Sequence, residues 1–153
     1  MLLMISNKHK YQQDIEKLPN CPPKTYKEVD ITAFRWVHEQ CGEDSFKPVL
    51  IMQPTRQLGD EDKTCEGYAL SMFSEEREAY EKYRKLVAKK THLKKVFGTM
   101  IAALQLSKNE GVSSEPELDN YTHFNFHEYR GIDLLKKITN IENIFDENGN
   151  FKW

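Results

Sequence analysis

The sequence predicts an α+β fold: a small, largely antiparallel sheet covered on one face by one or two helices. Three observations carry that expectation. The chain has 153 residues, close to the length of one domain, and its 8 Phe, 7 Tyr and 2 Trp can close one core although 30% of residues are charged. A strand running straight into an amphipathic helix reads clearly between Gly67 and Lys90. A strict alternation runs from Tyr121 to Tyr129. The expected layout is an N-terminal arm over 1–23, a single domain over 24–145 and a polar C-terminal tail over 146–153.

Taken in order, Tyr11, Ile15 and Leu18 fall at helical spacing and predict a weak amphipathic helix over 8–18, ended by Pro19 and by Cys21-Pro22-Pro23. Thr25 and Glu28 have capping-box spacing, which predicts a short helical turn. Phe34 to His38 alternates as a strand. Lys47 to Met52 is the most apolar run and, between Pro48 and Pro54, predicts a buried strand. Acidic Asp60-Glu61-Asp62 after Gly59 predicts a solvated turn.

Tyr68 to Phe73 is strand-like, and Ser74 is the expected cap of a helix over 74–90 whose first turn is crowded with Glu75, Glu76 and Glu78. Ala79, Tyr83, Leu86 and Val87 share its apolar face. From Leu93 to Leu106 the pattern fits a helix or a strand, with a second helix over 92–105 favoured. The polar stretch Ser113 to Asn120 is an exposed loop, and the strand at 121–129 follows. Apolar residues from Ile132 to Phe145 predict a last helix and an edge strand.

Composition narrows the function classes. A formal charge of -2 argues against a surface built throughout to neutralise phosphate. The opening Met1 to Ile5 is too short for a secretory leader, and no apolar run reaches the length of a membrane span, so no membrane association is expected. Cys21, Cys41 and Cys65 cannot all pair, and a domain of this size needs no disulfide, which predicts a reducing cytoplasm. Phosphate-binding glycine loops, nucleophile elbows and the paired histidines of metalloproteases are absent from the sequence.

Four constellations could carry chemistry. His123, Asn125 and His127 project from one face of the 121–129 strand, expected to look away from the interior; imidazoles there could shuttle protons near neutral pH. A metal set would have to be assembled from His38 and Cys41 with Cys65 and either His123 or His127; with one close-spaced pair instead of two, no metal site is predicted. The segment Lys82 to Lys95 holds Lys82, Lys85, Lys89, Lys90, Lys94 and Lys95 with no acid, a basic patch for nucleic acid or an acidic partner.

The fourth is Arg35 on an early strand, Ser71 before the main helix and Glu128 on a late strand. This order resembles the arginine, serine and glutamate arrangement of ADP-ribosyltransferase-like domains. The resemblance implies an Arg35 that grips a dinucleotide, a Ser71 that supports the pocket and a Glu128 that assists transfer. It departs from that pattern where Phe126 stands two places before Glu128 and where Ser71 has no Ser-Thr-Ser context.

The preferred expectation is a non-catalytic cytoplasmic module that binds another protein as accessory or regulatory partner. The alternative is a small transferase or hydrolase, toxin-like in kind, using Arg35, Ser71, His123, His127 and Glu128 around a cleft; a nucleic-acid role for the basic segment ranks third. No cofactor is assigned.

Overall fold

The computed structural model describes residues 8–152; the apolar opening Met1 to Ile5 lies outside the described residues. Six antiparallel strands form one sheet in the order β4-β5-β2-β1-β3-β6. They are β1 (Ile31–Val37), β2 (Leu70–Phe73), β3 (Met100–Leu106), β4 (Gly111–Ser113), β5 (His123–Glu128) and β6 (Ile138–Asn143). The helices are α1 (Gln12–Ile15), α2 (Val49–Met52), α3 (Glu61–Gly67), α4 (Glu76–Lys89) and α5 (Leu93–Phe97), with 3-10 turns at Glu43–Phe46 and Leu134–Lys137. The α+β expectation therefore holds, and no helix among the described residues is long and apolar enough to cross a membrane.

The sheet separates two apolar layers. On one face α4 lays Ala79, Tyr80, Tyr83 and Val87 against Phe34, Trp36, Phe73 and Ile101. Four of its positions at i, i+1, i+4 and i+8 are buried because 3.6 residues per turn return them to one stripe. On the other face Ala33, Val37, Leu70, Met72, Leu104, Phe124 and Phe126 pack beneath Phe46 and Leu134 of the 3-10 turns. The alternation along each strand divides side chains between these layers.

Four elements differ from expectation. The turn predicted at Asp60-Glu61-Asp62 instead opens α3, because Asp60 caps it by accepting from Lys63 N–H and the acids fill its first turn. Lys47 to Met52 is not a strand: Pro48 starts one helical turn that buries Leu50 and leaves Met52 half exposed. A short apolar run carries no period that distinguishes the two. The helix over 92–105 is instead α5 followed by the internal strand β3, which pairs with β1 from Ile31–Leu106 to Val37–Met100. Gly98 makes the break at φ 85°, and a Cβ there would stand 2.1 Å from the Val37 carbonyl oxygen. No other residue could both end α5 and let the chain press that closely on β1. Thr25 lies in a plain turn rather than a helical one.

Residues 8–27 and 145–151 are also built into the body. Residues 8–27 run back along the sheet: Lys10 N–H donates to Glu128 O, Arg130 N–H to Lys8 O, and Lys27 pairs with Ser113. Ile15 is buried at 1% exposure. The C-terminal segment is polar in composition, yet it turns at Gly149 and returns Phe151 to Phe145, 4.8 Å between ring centroids, under Tyr80 and Tyr83. A further departure from expectation is covalent, a disulfide between Cys21 of the arm and Cys65 of α3, with Cys41 free.

Candidate active site

β1 and β2 are neighbours but touch in register only at Phe34–Phe73, so beyond that pair the strands part. The gap is bridged by Arg35. Its Nε donates to Ser45 O and its Nη1 to Ser71 O, both at 2.8 Å, and burial lowers its pKa to about 10. A cation spent on two backbone carbonyls fixes β2 where the ladder no longer does.

Where the strands part, a cleft of about 480 Å³ opens, and Ser71 lines it. Trp36, Phe73, Phe97, Val96 and Met52 make its apolar wall, and Arg35, His38, Lys47 and Arg56 bring positive or protonatable groups. Lys47 pairs with Asp44 at 2.9 Å. The volume suits a small ligand, and the wall is mostly apolar with few converging polar groups, as binding clefts are.

Ser71 does not stand alone. Its Oγ lies 3.0 Å from His123 Nε2, and His123 Nδ1 lies 2.8 Å from Glu117 Oε1. A carboxylate only accepts, so Nδ1 carries the hydrogen and Nε2 is left to accept from the Ser71 hydroxyl. Serine, base and orienting acid are thus joined in series, the arrangement that activates a hydroxyl nucleophile.

The local fold explains how Glu117 reaches His123. Tyr121 and Thr122 both adopt positive φ, 57° and 59°, which reverses the chain between Glu117 and β5. Glu117 N–H then donates to His123 O at 2.8 Å and Thr122 N–H to Glu117 O at 2.9 Å. Two successive left-handed residues that are not glycine cost roughly 1–2 kcal/mol each. Thr122 offsets part of this by accepting from Glu75 N–H through Oγ1 at 3.3 Å and from Ser74 N–H through its carbonyl at 3.1 Å. It thereby serves the start of α4, the place for which Ser74 is the expected cap.

The other end of β5 is closed. The expectation that the odd-numbered residues face solvent fails there: Asn125 is 8% and His127 3% exposed. The arm covers them. Tyr26 packs at 5.8 Å on His127 and accepts from Asn125 Nδ2 at 3.4 Å. His127 Nε2 lies 3.7 Å from Cys65 Sγ, and burial, with His9 adding to it, lowers its pKa to about 4. Alternation foretells which residues share a face, but not that a distant segment will lie upon it.

Glu128 is on the opposite face from Ser71, among Phe124 and Phe126, and so cannot act on the same ligand atom. It lines a separate cleft of about 430 Å³ with Lys10, its ion-pair partner at 3.5 Å. Burial raises its pKa to about 7 against the pull of Lys10 and Arg35. Arg35, Ser71 and Glu128 thus do not converge. Of the metal set read from sequence, Cys65 and His127 meet, while His38 lines the Ser71 cleft and Cys41 stands apart as a free thiol.

The basic segment is partly engaged within the molecule. Lys82 donates to Asn120 Oδ1 at 2.7 Å, Lys85 lies 5.8 Å over Tyr121 and Lys94 4.4 Å over Phe145. Lys89, Lys90 and Lys95 are exposed. Comparisons of the chain with protein-family models, with curated proteins and with solved structures find no match.

Proposed function

We propose that the protein is a hydrolase or acyl transferase that uses Ser71 as nucleophile. The observation that supports it is the chain of contacts Ser71 Oγ–His123 Nε2 at 3.0 Å and His123 Nδ1–Glu117 at 2.8 Å, set at the mouth of an apolar cleft. On this reading the Ser71 hydroxyl attacks an ester or thioester carbonyl while His123 Nε2 takes its proton. Glu117 holds the ring and stabilises the imidazolium that forms. His123 passes the proton to the leaving group, and the acyl–serine then yields to water or another acceptor activated by the same ring.

A fluorophosphonate reagent tests this directly. It should label the folded protein once, at Ser71 by peptide mapping, and Ser71→Ala should remove the label. Failure to label the folded protein, or equal labelling of the Ser71→Ala variant, overturns the proposal.

A second reading, a module that binds a segment of another protein, is favoured by Met52 and Val96, exposed at 50% and 59% on the rim of this cleft. It needs no nucleophile. Under it, Met52→Glu with Val96→Glu abolishes partner binding while Ser71→Ala leaves it intact.

A further inference from the structure

Outside the Ser71 cleft, one cluster of side chains has the makings of a metal centre. The ligand atoms of Cys21, Cys65 and His127 lie within 4.8 Å of one another. They come from three places, the arm, α3 and β5, and meet where the arm closes over the sheet. His9 lies outside that 4.8 Å group but near enough for its charge to act on His127. Its ring packs at 5.3 Å on Tyr129, two residues beyond His127. Its Nδ1 is buried with no hydrogen-bond partner. A buried ring nitrogen without a partner is costly unless something else takes its lone pair or proton.

We propose that in the dithiol form of the chain Cys21, Cys65, His127 and His9 bind one zinc ion. Two thiolates and two imidazoles are a closed tetrahedral set for zinc. The spacing of Cys21, Cys65 and His127 suits it, with His9 the ligand that must swing in: bonds of about 2.3 Å to sulfur and 2.0 Å to nitrogen place a sulfur and a nitrogen ligand about 3.5 Å apart. Cys65 Sγ and His127 Nε2 are already 3.7 Å apart. Reduction lets the sulfurs move to about 3.8 Å, the separation the same geometry requires of two thiolates.

The chemistry balances. A dithiol reductant breaks the Cys21–Cys65 bond, giving its two electrons and two protons to the sulfurs and becoming a disulfide itself. A phosphine does the same, keeping the oxygen of a water molecule whose two hydrogens pass to the thiols. Zinc then displaces the two thiol protons, which leave to solvent. The arm is tied to the body in both states, by a covalent bond in an oxidising compartment and by the ion in a reducing one.

The test is made on the whole chain, prepared metal-free and split between an oxidised sample and one reduced with a phosphine. One equivalent of zinc should bind the reduced sample and none the oxidised one. Cobalt(II) in place of zinc should give the intense visible bands of a tetrahedral thiolate site. His9→Ala should weaken zinc binding at least about ten-fold, and Cys21→Ser should abolish the cobalt spectrum while circular dichroism reports a folded body. A reduced, folded wild-type chain that takes up no zinc overturns the proposal, as does a cobalt spectrum unchanged by Cys21→Ser. Unchanged affinity in His9→Ala overturns the four-ligand set by removing His9 from it.

Discussion

His123 and His127 stand four residues apart on one face of the same strand, yet their surroundings oppose each other. His123 sits at the open end, between an exposed serine and a half-exposed carboxylate. His127 sits at the closed end, under the arm, against a disulfide and a tyrosine ring. The strand presents both imidazoles identically; what lies above each decides its chemistry. Burial keeps His127 neutral down to about pH 4. His123 keeps access to a cleft and a partner on each nitrogen.

The comparison is broken most severely at the closed end. Under oxidising, metal-free conditions, replacing Cys21 and Cys65 together by serine removes a crosslink across 44 residues of chain and should cost about 3–4 kcal/mol of stability. Chemical denaturation measures it, and limited proteolysis should cut first within residues 8–27. If stability is unchanged and the arm stays protected, the disulfide is not what closes this end.

A smaller and sharper contrast comes from exchanging the histidines one at a time. His123→Ala should lower the rate of ester hydrolysis by about 100-fold and stability by no more than about 1 kcal/mol. His127→Ala should do the reverse, costing about 2 kcal/mol through the space it leaves while the rate at saturating substrate stays within two-fold of wild type, taking two-fold as roughly the scatter of a remote site. Steady-state kinetics and denaturation on both variants give the four numbers. Equal loss of rate in the two variants would erase the distinction between the two histidines. Glu117→Gln, which keeps the shape but not the charge, should fall between, at about 10-fold in rate.

Much of the framework behind this contrast was legible in the sequence, and the rest has physical reasons for being hidden. α4 announces itself because fourteen residues repeat one stripe several times. β5 is legible from alternation, and Ser71 and His123 could both be named. Glu117 could not: its closeness to His123 depends on two residues at positive φ, Tyr121 and Thr122, neither of a type that advertises such a turn. β3 was hidden because Leu93, Val96, Phe97, Met100, Ile101 and Leu104 keep helical spacing across Gly98, and only pairing with β1 decides against it. The disulfide was unreadable because 44 residues separate its cysteines and no local pattern couples them.

The smallest effect concerns the support of the open end. Trp36 of the cleft wall packs edge-on against Tyr83 at 5.5 Å, and Tyr83 donates its hydroxyl to Gly98 O at 2.6 Å, holding the turn between α5 and β3. Tyr83→Phe leaves that buried carbonyl without its donor and should cost about 1 kcal/mol at neutral pH. Burial raises the Tyr83 pKa from 10.0 to about 12, so the fold favours the neutral phenol. Its contribution is therefore full below pH 10 and is lost as pH rises through 12. The variant has nothing to titrate at this position, so the stability gap between it and wild type should narrow steadily over that window, as read from urea midpoints. Parallel curves would mean that the hydroxyl titrates alike in folded and unfolded chains and that the bond to Gly98 does not hold the cleft wall in place.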